Sequence, residues 1–215
     1  MSIEDYFSDW LKYIDKEELK KALNNLKGRN ITPGYKDMFK AFNLCKYNNL
    51  KAIFLGQDPY PQKGVATGLA FANKKYPISP SLEQIKNSVI NLENCYYNVN
   101  FVPDLESWAK QGILLLNSAL TTEVWKSGAH LNIWRSFISK FIEKFSLYNN
   151  GTVWVLFGKT AQSFTPYMIN QVILKYPHPA FYVRTNTQMP PSIFEEISKE
   201  IKYCTGTNIK WFNSI

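Results

Sequence analysis

Four short runs of uninterrupted apolar residues, each closed by a turn signal, limit what this chain can fold into: KAIFLG (51–56), GILLLN (112–117), TVWVLFG (152–158) and QVILKYP (171–177). A strand with one wet face alternates apolar and polar residues, whereas a strand covered on both faces reads as a continuous apolar run, the usual pattern of a parallel sheet. Helix-period segments separate the runs. In SLEQIKNSVINL, Leu82, Ile85, Val89 and Leu92 share one face, and Ser81 with Gln84 has the spacing of a capping box. In NIWRSFISKFIEKF the same holds for Trp134, Ile138, Phe141, Ile142 and Phe145.

Strand alternating with helix implies right-handed crossovers and an α/β fold, a single domain with a central four-stranded parallel sheet flanked by helices on both faces. With 215 residues, 45% hydrophobic, including 6 Trp, 13 Tyr and 14 Phe, one domain can bury the core such a sheet requires. We expect a single domain over 1–215, with a helical N-terminal segment over about 1–48 and the α/β core over about 49–203.

Several function classes are disfavoured. Cys45, Cys95 and Cys204 are odd in number and lack C-x-x-C spacing, which argues against a disulfide framework, a zinc knuckle or a four-cysteine cluster and for reduced thiols. The N-terminus is acidic and then amphipathic, and no apolar run reaches membrane-spanning length, so a cytoplasmic, nucleoid-associated protein without membrane contact is expected. Gly158-Lys159-Thr160 has the ending of a phosphate-binding P-loop, but the glycine required earlier is replaced by Val153 inside a strand. The net charge of +8 favours acidic partners, nucleic acid first among them, although a lysine-rich composition alone gives the same figure.

In a doubly covered parallel sheet, ligands bind beyond the carboxyl ends of the strands. The segments at those ends are Gln57–Gly64, Asn117–Ala129, Gly158–Gln162 and His178–Arg184. Pro59 and Pro61 restrict the residues before them, so Asp58 and Tyr60 sit on a stiff loop. An Asp-Pro step is also a common turn starter. Asn117 carries an amide able to donate and accept toward a base edge, or a turn residue's side chain. His178 stands between Pro177 and Pro179; His130, in a polar loop before a helix, reads as structural. Phe71, behind two glycines, offers a stacking surface or a core ring. Each residue has a bland explanation singly, but together an Asp, an Asn and a His from three strand ends, with Tyr60 and Phe71 beside them, suit a planar heterocycle.

These motifs resemble those of family 1 uracil-DNA glycosylases, in order from about residue 50 to 182. GQDPYP is similar to the water-activating loop GQDPYH, GLAFA to the uracil-stacking segment and SPSLEQI to the proline–serine loop. LLLN resembles the strand ending in the uracil-reading asparagine, VWVLFGKTAQ the glycine–serine loop strand, and HPAFYV the motif HPSPLS.

The resemblance implies hydrolysis of uracil from DNA by a monofunctional glycosylase with no cofactor and no metal. Asp58 would stabilise the developing sugar cation and position water; His178, as neutral imidazole, would donate to uracil O2. Gln57, Tyr60, Phe71 and Asn117 would hold the base, Asn117 pairing with N3–H and O4 and Tyr60 filling the space of a thymine methyl. Ser81, Lys159, Tyr182 and Arg184 would contact DNA, with Tyr182 in the wedge position, and Lys63, Lys74, Lys75 and Lys126 lie in the same loops. The partners implied are uracil-containing DNA, single- or double-stranded, and beyond it a proteinaceous inhibitor or a replication or repair protein, the chain itself being a monomer.

The sequence departs from the pattern at Pro61, which replaces the final histidine of GQDPYH, and at Ala180 to Val183, where a phosphate-contacting serine is lost and the wedge leucine becomes Tyr182. Two other readings stay open: a glycosylase for a modified pyrimidine, and a non-catalytic DNA-binding homologue within a repair assembly.

Overall fold

A computed structural model describes residues 3–74, 77–92 and 100–212; Lys75 and Cys95 lie outside the described residues. All four apolar runs are strands: β1 (Ala52–Gly56), β2 (Ile113–Asn117), β3 (Val153–Phe157) and β4 (Val172–Tyr176). They form one parallel sheet in the order β2-β1-β3-β4, with Gly56 opposite Asn117 and Phe157 opposite Tyr176. From β1 the chain first adds β2 on one side and then β3 on the other. The reversal opens a crevice at the carboxyl ends of β1 and β3, where a sheet of this kind receives a ligand.

Alternation along the strands sends side chains into two layers. Phe54 packs toward Phe194 and Trp211, while Trp154 on β3 packs its ring 5.9 Å from Phe145. The second layer is built by the long helix Leu131–Tyr148, whose Trp134, Ile138, Phe141, Ile142 and Phe145 are all buried as the helical period requires. Trp10 and Phe42 from the N-terminal helical turns join it, with ring centroids 5.8 Å apart. On the opposite face the helix Ser192–Thr205 buries Ile193, Phe194, Ile197 and Ile201. Among the described residues, no helix is long and apolar enough to cross a membrane. Cys45 is a buried free thiol and Cys204 an exposed one.

Two local expectations need correction. β4 is not fully buried: it is the sheet's edge strand, and its side chains are only partly covered. The helix Pro80–Leu92 is not capped by Ser81. The Ser79 hydroxyl accepts from the Leu82 N–H at 3.3 Å, leaving Pro80 at the first helical position, where its missing N–H costs nothing. Gln84 does not complete a capping box; its Oε1 accepts from the Met189 N–H at 2.9 Å.

Candidate active site

The four carboxyl ends surround a cavity of about 820 Å³. Its lining includes Gln57, Asp58, Tyr60, Phe71, Asn117 and His178, so the base-holding and bond-breaking candidates from three strand ends share one space. Ser81, Lys159 and Arg184 also line it.

Asp58 follows β1 by two residues and its carboxylate is held from three directions. Gly128 donates its backbone N–H to Oδ2 at 2.5 Å, the Ser127 hydroxyl lies 3.2 and 3.1 Å from the two oxygens, and Gln57 Nε2 donates to Oδ1 at 3.0 Å. Gln57 is fixed in turn, because the Thr160 hydroxyl donates to its Oε1 at 3.1 Å across the crevice between β1 and β3. Such donors fix the direction of the carboxylate.

The floor of the pocket depends on a missing side chain. A Cβ on Gly56 would lie 2.6 Å from Asn117 Oδ1 and 3.0 Å from Phe71 Cζ, so only glycine lets the amide and the ring meet over the end of β1. The Ser118 hydroxyl donates to the Gly56 carbonyl at 2.7 Å, joining the end of β2 to β1 and setting Asn117 in place. Phe71 has a left-handed backbone, φ 67°, and its ring stands edge-on to Phe157 at 5.3 Å and 6.0 Å from the His178 ring. Tyr60 donates its hydroxyl to the Phe71 carbonyl at 3.0 Å, and burial pushes its phenol up to about 12, so the donor stays protonated.

His178 caps the short helix Pro179–Arg184 by accepting the Ala180 N–H at Nδ1, 3.1 Å away. That bond leaves the ring proton on Nε2. Burial lowers its pKa from the ordinary 6.5, outweighing the opposing pull of the Asp58 charge, with the Arg184 cation acting in the same direction as burial. The imidazole is therefore neutral at neutral pH and able to donate from Nε2. Gly158 makes this position accessible, since a Cβ there would lie 2.9 Å from His178 Cβ. His130, read as structural from its place in a polar loop, is fully buried, with Nδ1 3.0 Å from the Thr121 hydroxyl.

The DNA-contact candidates divide. Lys159, Arg184 and Lys63 are exposed in the strand-end loops, whereas Lys74 is ion-paired with Asp37 and Lys126 with Glu123, both at 2.9 Å. Tyr182 does not present a wedge in this structure. It is 8% exposed, and the outward aromatic is its neighbour Phe181, 42% exposed and part of the cavity lining. A helix advances about 100° per residue, so consecutive side chains cannot share a direction. The resemblance identifies the motif but not which of its residues faces out once the segment coils.

Sequence reasoning missed Ser127, Gly128 and Thr160, which act through neighbours brought together only by folding, and Lys175, which lines the cavity from the edge strand. The glycine at the end of the first apolar run was the one available signal for the close approach at Gly56.

An anion held at a strand end, a neutral imidazole donor and an amide over an aromatic floor define a site for a planar, hydrogen-bonding heterocycle, set in a doubly covered parallel sheet. The model of the Uracil DNA glycosylase superfamily matches residues 42–202, and the chain belongs to that family. It is similar to the uracil-DNA glycosylase of Coxiella burnetii (strain RSA 493 / Nine Mile phase I), 41% identical over 182 residues, covering 82% of this chain and 75% of that one. The uracil-DNA glycosylase of Mycoplasmopsis pulmonis (strain UAB CTIP) is 35% identical over 215 residues, covering 94% of this chain and 96% of its own. In fold it is similar to mimivirus uracil-DNA glycosylase, with TM-score 0.76 and 22% identity over 97% of this chain and 91% of that one. A mimivirus variant in complex with UGI superposes with TM-score 0.82 at 23% identity, covering 96% of this chain and 87% of that one.

Proposed function

We propose that this protein hydrolyses the N-glycosidic bond of uracil in DNA, extruding the base from the strand and leaving an abasic site. What supports the reading is the convergence of Asp58, Asn117 and His178 on one cavity floored by Phe71, in a chain of this family.

The chemistry assigns each group a task. When C1′–N1 breaks, its electron pair leaves with uracil and positive charge remains on the sugar; water then supplies oxygen to C1′ and, net, a proton to the base. Asp58, anionic and oriented by Gly128, Ser127 and Gln57, stabilises the sugar cation and directs the water. His178 donates from Nε2 to uracil O2 as negative charge gathers there; its neutrality does not hinder this, because donation needs only the proton. Asn117 reads N3–H and O4, an edge whose polarity cytosine reverses. Phe71 stacks on the ring and Tyr60 closes the space beside C5.

Extrusion costs a few kcal/mol, which contacts to phosphate must offset. Ser81, Lys159, Lys175 and Arg184 stand at the rim for that purpose, and Phe181 rather than Tyr182 faces the gap left in the helix. On this reading the chain works as a monomer on cytoplasmic, nucleoid DNA, and a protein ligand on the same face is a second partner, in keeping with the UGI complex of the mimivirus variant.

The test is incubation of purified protein with single- and double-stranded oligonucleotides carrying uracil, thymine or a bulky 5-substituted pyrimidine, followed by measurement of the free base. Release of uracil alone is expected. Preference for the bulky bases would overturn the specificity, and no release from any substrate would overturn the activity.

A further inference from the structure

Five of the six tryptophans are buried, at 2% exposure or less: Trp10, Trp108, Trp134, Trp154 and Trp211. The sixth, Trp125, is 71% exposed. It is not carried on a loose loop. Glu123 and Lys126 pair across a tight turn, Lys126 donating its N–H to the Glu123 carbonyl at 2.9 Å, and Trp125 adopts a left-handed backbone in that turn, φ 69°, which a bulky residue rarely accepts. Hydrogen bonds hold it there. Trp125 donates its N–H to the Pro61 carbonyl and Val124 donates to the Asn30 carbonyl, each at 2.9 Å.

The bond to Pro61 and the chain beyond Lys126 both lead to the proposed catalytic carboxylate. Pro61 lies three residues beyond Asp58 in the same rigid loop, and the two residues after Lys126 are Ser127 and Gly128, which bind the Asp58 carboxylate. Pro61 and Ser127 line the cavity; Trp125 is hydrogen-bonded to the first and lies two residues before the second. Two further cations are near: Lys63 is exposed two residues beyond Pro61, and Arg29 is close enough to Glu123 to help hold that carboxyl below the usual range, after the larger effect of Lys126, which is itself ion-paired with Glu123.

We propose that Trp125 is a stacking platform for a nucleobase of the substrate strand next to the extruded nucleotide. This rests on the reading of the site as a DNA glycosylase. Every base has a π-face, so such a platform tolerates any sequence, and it serves bases that lack a stacking partner. A flanking base in a duplex is already stacked on its neighbours, whereas in a single strand it is free to rest on the indole. Trp125 therefore favours single-stranded substrate, and the nearby cations hold the backbone over it.

The test compares wild type with Trp125→Ala and Trp125→Phe on single- and double-stranded uracil oligonucleotides. A typical base–aromatic stack corresponds to roughly a tenfold change in affinity. Trp125→Ala should raise KM on single strands by about that factor, and by less on duplex, with the loss falling on KM rather than kcat; Trp125→Phe should recover most of it. Independently of turnover, a uracil-free single strand should quench wild-type tryptophan fluorescence and leave Trp125→Phe unquenched. If wild type releases uracil yet Trp125→Ala keeps its KM within twofold on single strands, or the quench persists in Trp125→Phe, the platform is wrong. A wild type that releases nothing counts against the glycosylase reading instead, and the quench still decides whether Trp125 meets a base.

Discussion

The backbone N–H of Gly128 donates to Asp58 Oδ2 at 2.5 Å, joining residues separated by 70 positions in sequence. The contact commits the loop after β2 to orienting a residue in the loop after β1, so the direction of the carboxylate is set by a second segment. Because the donor is a backbone amide, it cannot rotate away, and it gives the anion a fixed partner at little reorganisation cost.

The neighbouring bond from Thr160 to Gln57 yields a prediction. With the Thr160 hydroxyl donating to Oε1, the Gln57 amide must turn Nε2 toward Asp58. Thr160→Val removes that constraint. Steady-state kinetics should show kcat reduced by about 5- to 10-fold, the equivalent of one ordinary hydrogen bond of about 1 kcal/mol, with KM little changed. Thr160→Ser should restore the rate; failure of serine to do so would remove the hydroxyl from the account.

Gly56 tests the floor of the pocket. A methyl group there would meet Asn117 Oδ1 at 2.6 Å and Phe71 Cζ at 3.0 Å, so the amide and the ring must give way. Gly56→Ala should cost about 1–3 kcal/mol in a denaturant melt, as overpacking does, and should depress uracil release further than the stability loss explains. The companion variant Asn117→Asp changes the edge chemistry without adding bulk. A carboxylate accepts but does not donate, so release of cytosine should rise relative to uracil in a competition assay, and an unaltered preference would contradict the role of Asn117.

His178 yields a pH dependence. Its pKa lies below 6.5 because burial disfavours the cation. The unfolded chain therefore binds more protons than the folded one as pH falls below about 6.5, so this group's stabilising contribution is present above that pH and is lost on further acidification. With only two histidines in the chain, nitrogen NMR can follow both. His178 should be neutral at pH 7 with its proton on Nε2 and should titrate only below 6.5; a proton on Nδ1 would contradict the bond from Ala180.

Tyr182 and Phe181 should separate cleanly. Tyr182 is buried, so Tyr182→Ala should destabilise the fold by about 3 kcal/mol, seen as a lowered melting midpoint. Phe181→Ala should leave the midpoint nearly unchanged and reduce activity on duplex more than on single strands, since only the duplex leaves a hole to fill.

Much of the fold was legible because parallel strands announce themselves. Ile53, Phe54 and Leu55 are covered on both faces, and nothing but a continuous apolar run suits that environment. Asp58, Asn117 and His178 were legible for a related reason: each ends such a run or follows it within two residues, where chemistry in this fold is placed. Ser127 and Thr160 were not, since a hydroxyl in a loop has no periodicity, and its partner 69 or 103 positions away is fixed only by tertiary structure. Ser81 was misread because two serines flank Pro80, and the proline's place at the first helical position gives the cap to Ser79. Tyr182 was misread because a motif specifies order along the chain, while burial depends on the turn of the helix that carries it.

The most direct test of the central claim compares the rate of uracil release by wild type and Asp58→Asn from one single-stranded oligonucleotide, with chelator present. Asparagine keeps the shape and loses the charge, so the account predicts binding retained and release slowed by at least about a hundredfold. Equal rates for the two proteins would contradict it.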